Sequence, residues 1–248
     1  MKSSEIRAIA REKLAGKWGK AALSTLVYAI ITVIISSVLG AFAEKQFLNM
    51  ILSIVSIVIT VPMTFGFLLT MFKLNDDEEI SYIGFLTDGF SNFKKVWAVT
   101  LQTALKLLIP IILFILSLIL FSFATISSVT GGPGFIAVLG VILYIAALIY
   151  LIVKSISYTL GLYILYDNPE MSAKDIVETS AKLMQGNIGT YIGLYLSFIG
   201  WAFLAAFTLG IGFLWLIPYM QVSQVNFYRN LSDKPNVDTS DEPEQNIN

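Results

Sequence analysis

Six long apolar stretches dominate the sequence and restrict what the chain can fold into. They cover roughly residues 22–43, 47–73, 96–122, 135–157, 190–208 and 212–228. A run of about 18 or more apolar residues is long enough to cross the hydrocarbon core of a bilayer as a helix. A helix is the form that such a run takes in lipid, because it satisfies its backbone hydrogen bonds internally. We therefore predict an all-α, polytopic membrane helix bundle with six transmembrane helices.

The composition agrees with a surface that faces lipid. The 248-residue chain is 56% hydrophobic and only 13% charged, whereas a soluble domain carries about 25% charged residues. The net charge of −1 provides no basic field for nucleic acid. The chain has no cysteine and no histidine, which excludes thiolate nucleophiles, zinc–thiolate sites and imidazole proton relays. We expect a protein that is not an enzyme and that has no cofactor, no metal and no nucleic-acid partner.

The first apolar stretch has a second interpretation as a secretory signal, because Ala41-Phe42-Ala43 resembles a signal-peptidase site. The apolar part of a signal peptide contains about 7–15 residues, and this stretch is longer. We therefore interpret it as a membrane span.

Basic residues are concentrated before the first span, on alternate connections and after the last span. They are Lys2, Arg7, Arg11, Lys13, Lys17, Lys20, Lys73, Lys94, Lys95, Lys174, Lys182, Arg229 and Lys234. The other three connections carry one basic residue, Lys45. Because basic connections stay on the cytoplasmic side of a membrane, we predict that both termini are cytoplasmic.

A short polar segment precedes each pair of spans and has the pattern of an amphipathic helix. Between Tyr163 and Gly189, Ser172 and Asp175 form a predicted capping box, and Gly186 is a natural C-cap. The segments SSEIRAIAREKLAGKWG, near the N-terminus, and NDDEEISYIGFLTDGF, after the second span, have the same plan. The chain is therefore predicted to contain three hairpins, each preceded by a short cytoplasmic amphipathic helix.

The three units share small features that leave their origin open. An aromatic residue ends each returning span, namely Phe72, Tyr166 and Tyr228. An internal repeat and convergent hairpin construction both explain this similarity.

We divide the chain into a cytoplasmic amphipathic helix over residues 1–20, a six-span membrane domain over 21–231 and a cytoplasmic tail over 232–248. The tail is acidic, polar and almost free of large apolar residues. It cannot bury enough apolar surface to fold by itself, so we predict that it is disordered.

Two lysines in the predicted hairpins are candidates for a ligand site. Lys106 and Lys154 lie at similar calculated depths on neighbouring spans, and Gln102 lies one turn from Lys106. One interpretation is that both lysines extend their ammonium groups to the headgroup region. The other is a site for an anionic lipid headgroup, because an ionisable residue inside a span is a functional candidate.

The cytoplasmic halves of the returning spans carry a second group of polar residues. They are Thr60, Thr64, Ser157, Tyr158, Thr159, Gln221, Gln224 and Asn226. Such residues usually form hydrogen bonds between helices. The alternative is a hydrated cavity that opens to the cytoplasm, beside which Pro62 and Pro218 would free backbone carbonyls.

Several motifs resemble a known family. DNPEMSAKDIVETSAKLMQGN, with SFIGW and TLGIGFLWLIPY in the last hairpin, resembles the bacterial integral-membrane family called domain of unknown function 975. IRAIAREKLAGKWGKA and GFLTDGFSNF also fit its pattern. More remotely, the chain is similar to the membrane domain of some glycerophosphodiester phosphodiesterases. The resemblance implies a multi-pass protein of the bacterial cell membrane, without implying an activity.

Two functions from different classes remain open at this point. The first is a non-enzymatic envelope protein that acts by association with membrane lipids or with a protein partner. The second is a permease-like transporter that moves an amphiphile or small solute through an inward-facing polar cavity. The first predicts that the polar residues of the returning spans bond to other helices, and the second predicts a continuous hydrated vestibule.

Overall fold

A computed structural model describes residues 1–41, 46–131 and 134–233 of the chain. In these ranges every regular element is an α-helix, as predicted. In chain order the helices are α1 (Ser3–Leu14), α2 (Trp18–Ala41), α3 (Gln46–Asn75), α4 (Gly84–Ser91), α5 (Phe93–Val129), α6 (Gly134–Ser157), α7 (Gly161–Asp167), α8 (Ala173–Met184), α9 (Ile188–Leu196), α10 (Ile199–Phe207) and α11 (Phe213–Ser232). Most of the predicted disordered tail, from residue 234 onward, lies outside the described residues.

Within those ranges, five segments are long and apolar enough to cross a membrane. They are Trp18–Ala41, Gln46–Asn75, Phe93–Ile126, Gly134–Asp167 and Ile188–Phe207. Each contains one of the first five predicted spans or nearly all of it. The fold is therefore that of an all-helical, multi-pass membrane protein.

The predicted sixth span, residues 212–228, coincides with α11, which does not meet the same criterion of length and hydropathy. Ser223, Gln224 and Asn226 make this helix more polar, and all three are buried. Helix α11 packs against α1, α2, α3 and α10. Because protein covers much of its surface, polar residues on α11 can bond to other helices.

The predicted fifth span, residues 190–208, is divided into two helices. Helix α9 ends at Leu196 and α10 begins at Ile199. A side-chain nitrogen of Arg7 on α1 donates to the backbone carbonyl of Ser197 at 3.3 Å. The break thus provides a carbonyl group that bonds to the N-terminal helix.

The packed core lies at the end of the bundle that carries the amphipathic helices. Its buried apolar residues include Ile6, Phe72, Val96, Ile164, Ile176 and Tyr228. Toward the opposite end, the long helices expose large apolar side chains such as Val33, Phe47 and Ile119. One end is therefore packed like a protein interior, and the remainder presents the apolar surface that suits lipid.

The first and last amphipathic helices are built alike, as the sequence predicts. Helices α1 and α8 each contain 12 residues. Gly16 and Gly186 follow them with φ angles of +74° and +73°, a left-handed conformation that glycine adopts readily. At the start of α8 the Ser172 hydroxyl accepts a hydrogen bond from the Asp175 amide at 3.2 Å. This bond confirms Ser172 as the predicted N-cap.

The predicted second amphipathic helix is shorter than the sequence indicates. Only Gly84–Ser91 is helical, and the backbone amides of Asp76 and Glu78 before it bond to carbonyls of α3. The Glu78 amide donates to the Lys73 carbonyl at 2.8 Å, and Asp77 has a φ angle of +62°. A left-handed residue ends a helix, so the chain cannot begin a new helix until it has left this turn.

Helices α3 and α4 approach each other so closely that two glycines are required. A Cβ atom on Gly66 would lie 1.9 Å from the backbone oxygen of Phe85, and one on Gly89 would lie 2.1 Å from that of Pro62. Both neighbours are backbone atoms, which cannot rotate away. The two helices therefore pack backbone against backbone.

We group the helices into a first unit of α1–α3, a second of α4–α7 and a third of α8–α11. Each amphipathic helix packs on another unit than its own: α4 contacts α3, α8 contacts α5, α6 and α7, and α1 contacts α11. These helices therefore join the three units to one another.

The aromatic residues at the ends of the three returning helices meet in the core. The Phe72 ring stacks on Tyr166 with 4.3 Å between centroids. It also makes edge contacts with Tyr163 and Tyr228, at 5.7 and 6.2 Å. One ring of α3 therefore joins α7 and α11.

Candidate functional site

The two predicted glutamines of α11 bond to tyrosines of other helices. The Tyr163 hydroxyl donates to Gln224 Oε1 at 2.5 Å and lies 3.4 Å from Gln221 Oε1. The Gln224 side-chain amide donates to the Tyr195 hydroxyl, which also lies 3.1 Å from that of Tyr191. The network joins α7, α9 and α11, and Gln224 is buried within it.

The predicted Asn226 bonds to a residue that the sequence does not single out. Its amide nitrogen donates to Asn75 Oδ1 at 2.8 Å and to the Val222 carbonyl at 2.8 Å. Both asparagines are buried. This contact links the ends of α3 and α11.

The predicted hydroxyl residues bond mainly to backbone carbonyls one turn before them. Thr60 donates to Ser56, Thr64 to Thr60, Ser157 to Val153 and Thr159 to Ser155, with distances of 2.8, 2.9, 2.8 and 3.3 Å. The side chain of Thr64 also lies 3.1 Å from the Tyr28 hydroxyl of α2. Tyr158 packs against the core. In the described part of the chain no hydrogen bond joins Thr60 or Thr64 to the glutamine network.

The two predicted lysines have different surroundings. Lys106 Nζ lies 3.2 Å from Glu178 Oε1 of α8, so a carboxylate from outside the spans neutralises it. Lys154 Nζ lies 5.8 Å from the centre of the Tyr150 ring, which is a cation–π contact. Gln102 is half-buried on α5, one turn before Lys106. The predicted anionic-lipid site at these residues stays a prediction.

Arg229 is the centre of an ionic cluster at the packed end. Its Nη1 lies 2.9 Å from both carboxylate oxygens of Asp167, and its Nη2 lies 3.1 Å from Asp76 Oδ2. The guanidinium group also lies 5.3 Å from the centre of the Phe72 ring. The cluster connects the ends of α3, α7 and α11.

A second ionic contact joins the N-terminal helices to the turn after α3. Lys17 Nζ lies 2.5 Å from Asp77 Oδ1, and Lys13 Nζ lies 3.6 Å from Asp77 Oδ2. The hydrogen bond and charge of Lys17, with Lys13 beside it, lower the pKa of the Asp77 carboxyl below its ordinary value. Asp77 is therefore charged at neutral pH.

A cavity of about 390 Å³ lies on the third unit. None of the residues predicted for the polar cavity lines it, but one of them, Asn226, lines a second cavity of about 370 Å³ beside Arg229. Its walls are formed by residues of α1, α2, α10 and α11 and by the turn before α11, and they include Arg11, Trp18, Trp201 and Trp215. The arrangement can enclose an apolar group beside a cation.

The site chemistry is that of paired charges and helix-to-helix hydrogen bonds. Among the described residues, no group of three or more aspartates and glutamates is arranged to hold a metal ion. The cations and carboxylates described above neutralise one another across helices. These contacts fix the relative positions of the helices at the packed end.

Comparison with protein families identifies the chain. A family model described as "Protein of unknown function (DUF975)" matches residues 1–235. The chain belongs to this family. No curated protein and no solved structure matches it. The expected family is therefore confirmed, and the more remote similarity to phosphodiesterase membrane domains stays a prediction.

The DUF975 chain has charged residues whose contacts the sequence does not indicate. In the sequence, Arg229 is a basic residue after the last span, and Arg7 and Arg11 are basic residues before the first. The spacing of Arg7 and Arg11 places them on one face of a helix, but it does not indicate what that face contacts. Sequence contains no comparable signal for the contact of Arg229 with Asp76, which is 153 positions away.

Proposed function

We propose that this DUF975 chain is a non-enzymatic envelope protein that acts in a bacterial cell membrane by association with lipids or a protein partner. The observation that carries the proposal is the bonding of Gln224 and Asn226 to other helices. A protein that acts by association needs helices that are held together at the packed end, while the rest of the bundle faces lipid. A transporter requires a hydrated path through those same polar residues.

The proposal includes six spans, arranged as three hairpins with both termini in the cytoplasm. Helix α11 contains 20 residues, which at 1.5 Å per residue is about 30 Å, the thickness of the hydrocarbon core. The packed end carries the ionic contacts of Asp76, Asp77 and Arg229. Basic residues concentrated at this end favour the cytoplasmic side.

Topology can be measured with single cysteines, since the native chain has none. Leu209→Cys in the turn between α10 and α11 should react with an impermeant thiol reagent in intact cells, because Leu209 is 95% exposed. Ser4→Cys and Lys182→Cys, at exposed positions, should react only after permeabilisation. External labelling at residue 182 would contradict the proposed orientation.

The choice between association and transport depends on water access to α11. Ser223 is 0% exposed, and Ser223→Cys changes one atom of its side chain. In a bilayer this cysteine should resist a small water-soluble maleimide, whereas the matched Ser232→Cys, at the exposed end of the same helix, should react at once. Rapid labelling at residue 223 would show a vestibule and favour the permease.

The associating molecule can be sought by purifying the protein in nanodiscs formed from its native membrane. Mass spectrometry should find a lipid class enriched over the bulk membrane, or a protein present in fixed ratio. Bulk lipid composition without a protein partner would contradict the proposal.

A further inference from the structure

The cavity on the third unit joins a cationic mouth to an apolar slot. Arg11 and Trp18 lie at the packed end, while Trp201, Leu204 and Trp215 form the walls farther along. The volume of about 390 Å³ falls within the range of roughly 300–1,000 Å³ of small-molecule sites. The slot is open at its side, because Trp201, Leu204 and Trp215 are about half exposed.

Arg11 lines the mouth, and neither it nor Arg7, one turn before it on α1, has an acidic partner in the described ranges. Among the described residues, the salt bridges involve other basic residues and never Arg7 or Arg11. An Arg11 side-chain nitrogen donates to the Tyr219 hydroxyl at 3.2 Å. Arg7, one turn away, donates to the Ser197 carbonyl, and its Nε is buried without a hydrogen-bond partner in the described ranges.

Among the described residues, no carboxylate neutralises the positive charges of Arg7 and Arg11. Like charges one helical turn apart repel, and a buried donor without a partner costs stability. An anion at Arg11 would reduce the repulsion between the two arginines. Guanidinium groups bind phosphate especially well, because their parallel N–H donors match its oxygens.

The slot begins where the packed end meets the apolar surface. The Trp18 ring contacts Tyr219 with 5.9 Å between centroids, at the end of the slot that Arg11 lines. From Tyr219 to Gly212 the slot follows α11 and the turn before it over seven residues, about 10 Å. An apolar slot of this length can hold part of an acyl chain.

We propose that Arg11, with Arg7 beside it, and this slot bind an anionic phospholipid. The phosphate lies against the guanidinium group of Arg11 with Arg7 one turn away, and an acyl chain lies between Trp201, Leu204 and Trp215. Charge selects the headgroup, since no carboxylate competes for the arginines, and the apolar walls select a lipid over a free phosphate. The inference rests on the proposed function and specifies its ligand.

The test uses the full chain in nanodiscs that contain equal amounts of phosphatidylglycerol and phosphatidylcholine. After transfer to detergent, native mass spectrometry counts the lipids that remain bound. Wild type should retain phosphatidylglycerol in preference to phosphatidylcholine, and Arg7→Gln/Arg11→Gln should lower that retention about tenfold. Lys174→Gln/Lys182→Gln is the matched control, because it removes two exposed cations of α8 that do not line the cavity. Equal loss in the control would show general charge attraction and overturn the site.

A second variant tests the slot with both arginines intact. Leu204 is 60% exposed, so Leu204→Trp should fill the slot without disturbing the core. It should lower phosphatidylglycerol retention several-fold while the unfolding temperature stays unchanged. Unchanged retention of phosphatidylglycerol would contradict the proposal that an acyl chain lies in the slot. Glycerol 3-phosphate added in excess should not displace the lipid, and displacement would indicate a site for a free phosphate.

The outcomes separate this inference from the proposed function. Selective lipid retention that is insensitive to Arg7, Arg11 and Leu204 would overturn this site and leave association with lipids standing. Absence of any retained lipid or protein in wild type would overturn both. If Arg7→Gln/Arg11→Gln does not fold, the single variant Arg11→Gln replaces it, because Arg11 is exposed and its side chain makes one hydrogen bond, to Tyr219.

Discussion

Arg229 neutralises two carboxylates at the packed end, those of Asp76 and Asp167. It binds one carboxylate after α3 and another at the end of α7, while its own helix supplies neither. All three side chains are less than half exposed, at 33%, 31% and 23% for Arg229, Asp76 and Asp167. Without the arginine, two carboxylates would face each other in a region with limited access to water.

Arg229→Gln should therefore lower the free energy of unfolding by about 1–3 kcal/mol, the range for hydrogen bonds to charged groups. Thermal unfolding in detergent measures the change. Adding Asp76→Asn and Asp167→Asn should restore part of the loss, because the uncompensated charges are removed. The control is Lys95→Gln, whose partner Glu170 is 92% exposed and whose loss should change stability very little. Equal effects of Arg229→Gln and Lys95→Gln would contradict the central role of Arg229.

Asp77 should give the stability of the protein a dependence on acid pH. Folding lowers the pKa of its carboxyl below the ordinary 3.8, so the contribution is fully present above that value. It is lost as the pH falls through the lowered pKa. The difference in unfolding temperature between wild type and Asp77→Asn should be constant above about pH 5 and shrink below about pH 4.

Asparagine is a suitable replacement because it accepts the left-handed backbone that Asp77 adopts, with φ +62°. In a Lys17→Gln background, most of this pH-dependent difference should disappear. If it persists there, the cause is a group other than the pair of Lys17 and Asp77.

At the scale of elements, local signals set the ends of the amphipathic helices. A Cβ added at Gly16 or Gly186 would meet no atom within 4 Å, so steric contact is not the reason for glycine. The φ angles of +74° and +73° are the reason. A left-handed turn at these positions sends the chain directly from α1 into α2 and from α8 into α9.

Gly186→Val should lower the free energy of unfolding by more than the roughly 1–2 kcal/mol that the left-handed conformation costs an ordinary residue, since valine is β-branched. Ser172→Ala should remove the N-cap of α8 at a cost of about 0.5–2 kcal/mol. Gly189→Ala is the matched control, because a Cβ there also meets no atom within 4 Å and the backbone is helical. It should be neutral or stabilising by up to about 1 kcal/mol. Denaturation and accumulation in the membrane measure all three, and a loss in Gly189→Ala equal to that in Gly186→Val would contradict the conformational argument.

At the scale of the whole molecule, the three units depend on one shared core at the packed end. Phe72 is 0% exposed and contacts aromatic rings of α7 and α11. Each amphipathic helix packs on another unit than its own. Separation of any one unit would therefore expose the core surface of another.

Phe72→Ala should lower the free energy of unfolding by about 3–5 kcal/mol, as the loss of a buried aromatic ring does. The control is Phe207→Ala at a position that is 84% exposed and faces the region suited to lipid, where the change should be small. Hydrogen exchange should show that Phe72→Ala weakens protection in α7 and α11 as well as in α3. Loss of protection confined to α3 would contradict a shared core.

Features that depend on residues close together in the chain can be predicted from the sequence. Apolar runs longer than about 18 residues locate five long membrane segments, and Ser172 and Gly186 mark the start and end of α8. The same rules place a helix before the second hairpin but make it too long, because they do not anticipate the left-handed conformation of Asp77 after α3.

Contacts between side chains that are far apart in the sequence could not be predicted and depend on how the helices pack. Lys106 pairs with Glu178, 72 positions away, and Asn226 bonds to Asn75, 151 positions away. A pattern of residues along one helix shows which face is apolar, but it does not show which helix will cover that face. For the same reason Arg7 and Arg11 appear in the sequence only as charges that orient the chain. Their position beside the slot follows from the packing of α1 on α11, the last helix of the bundle.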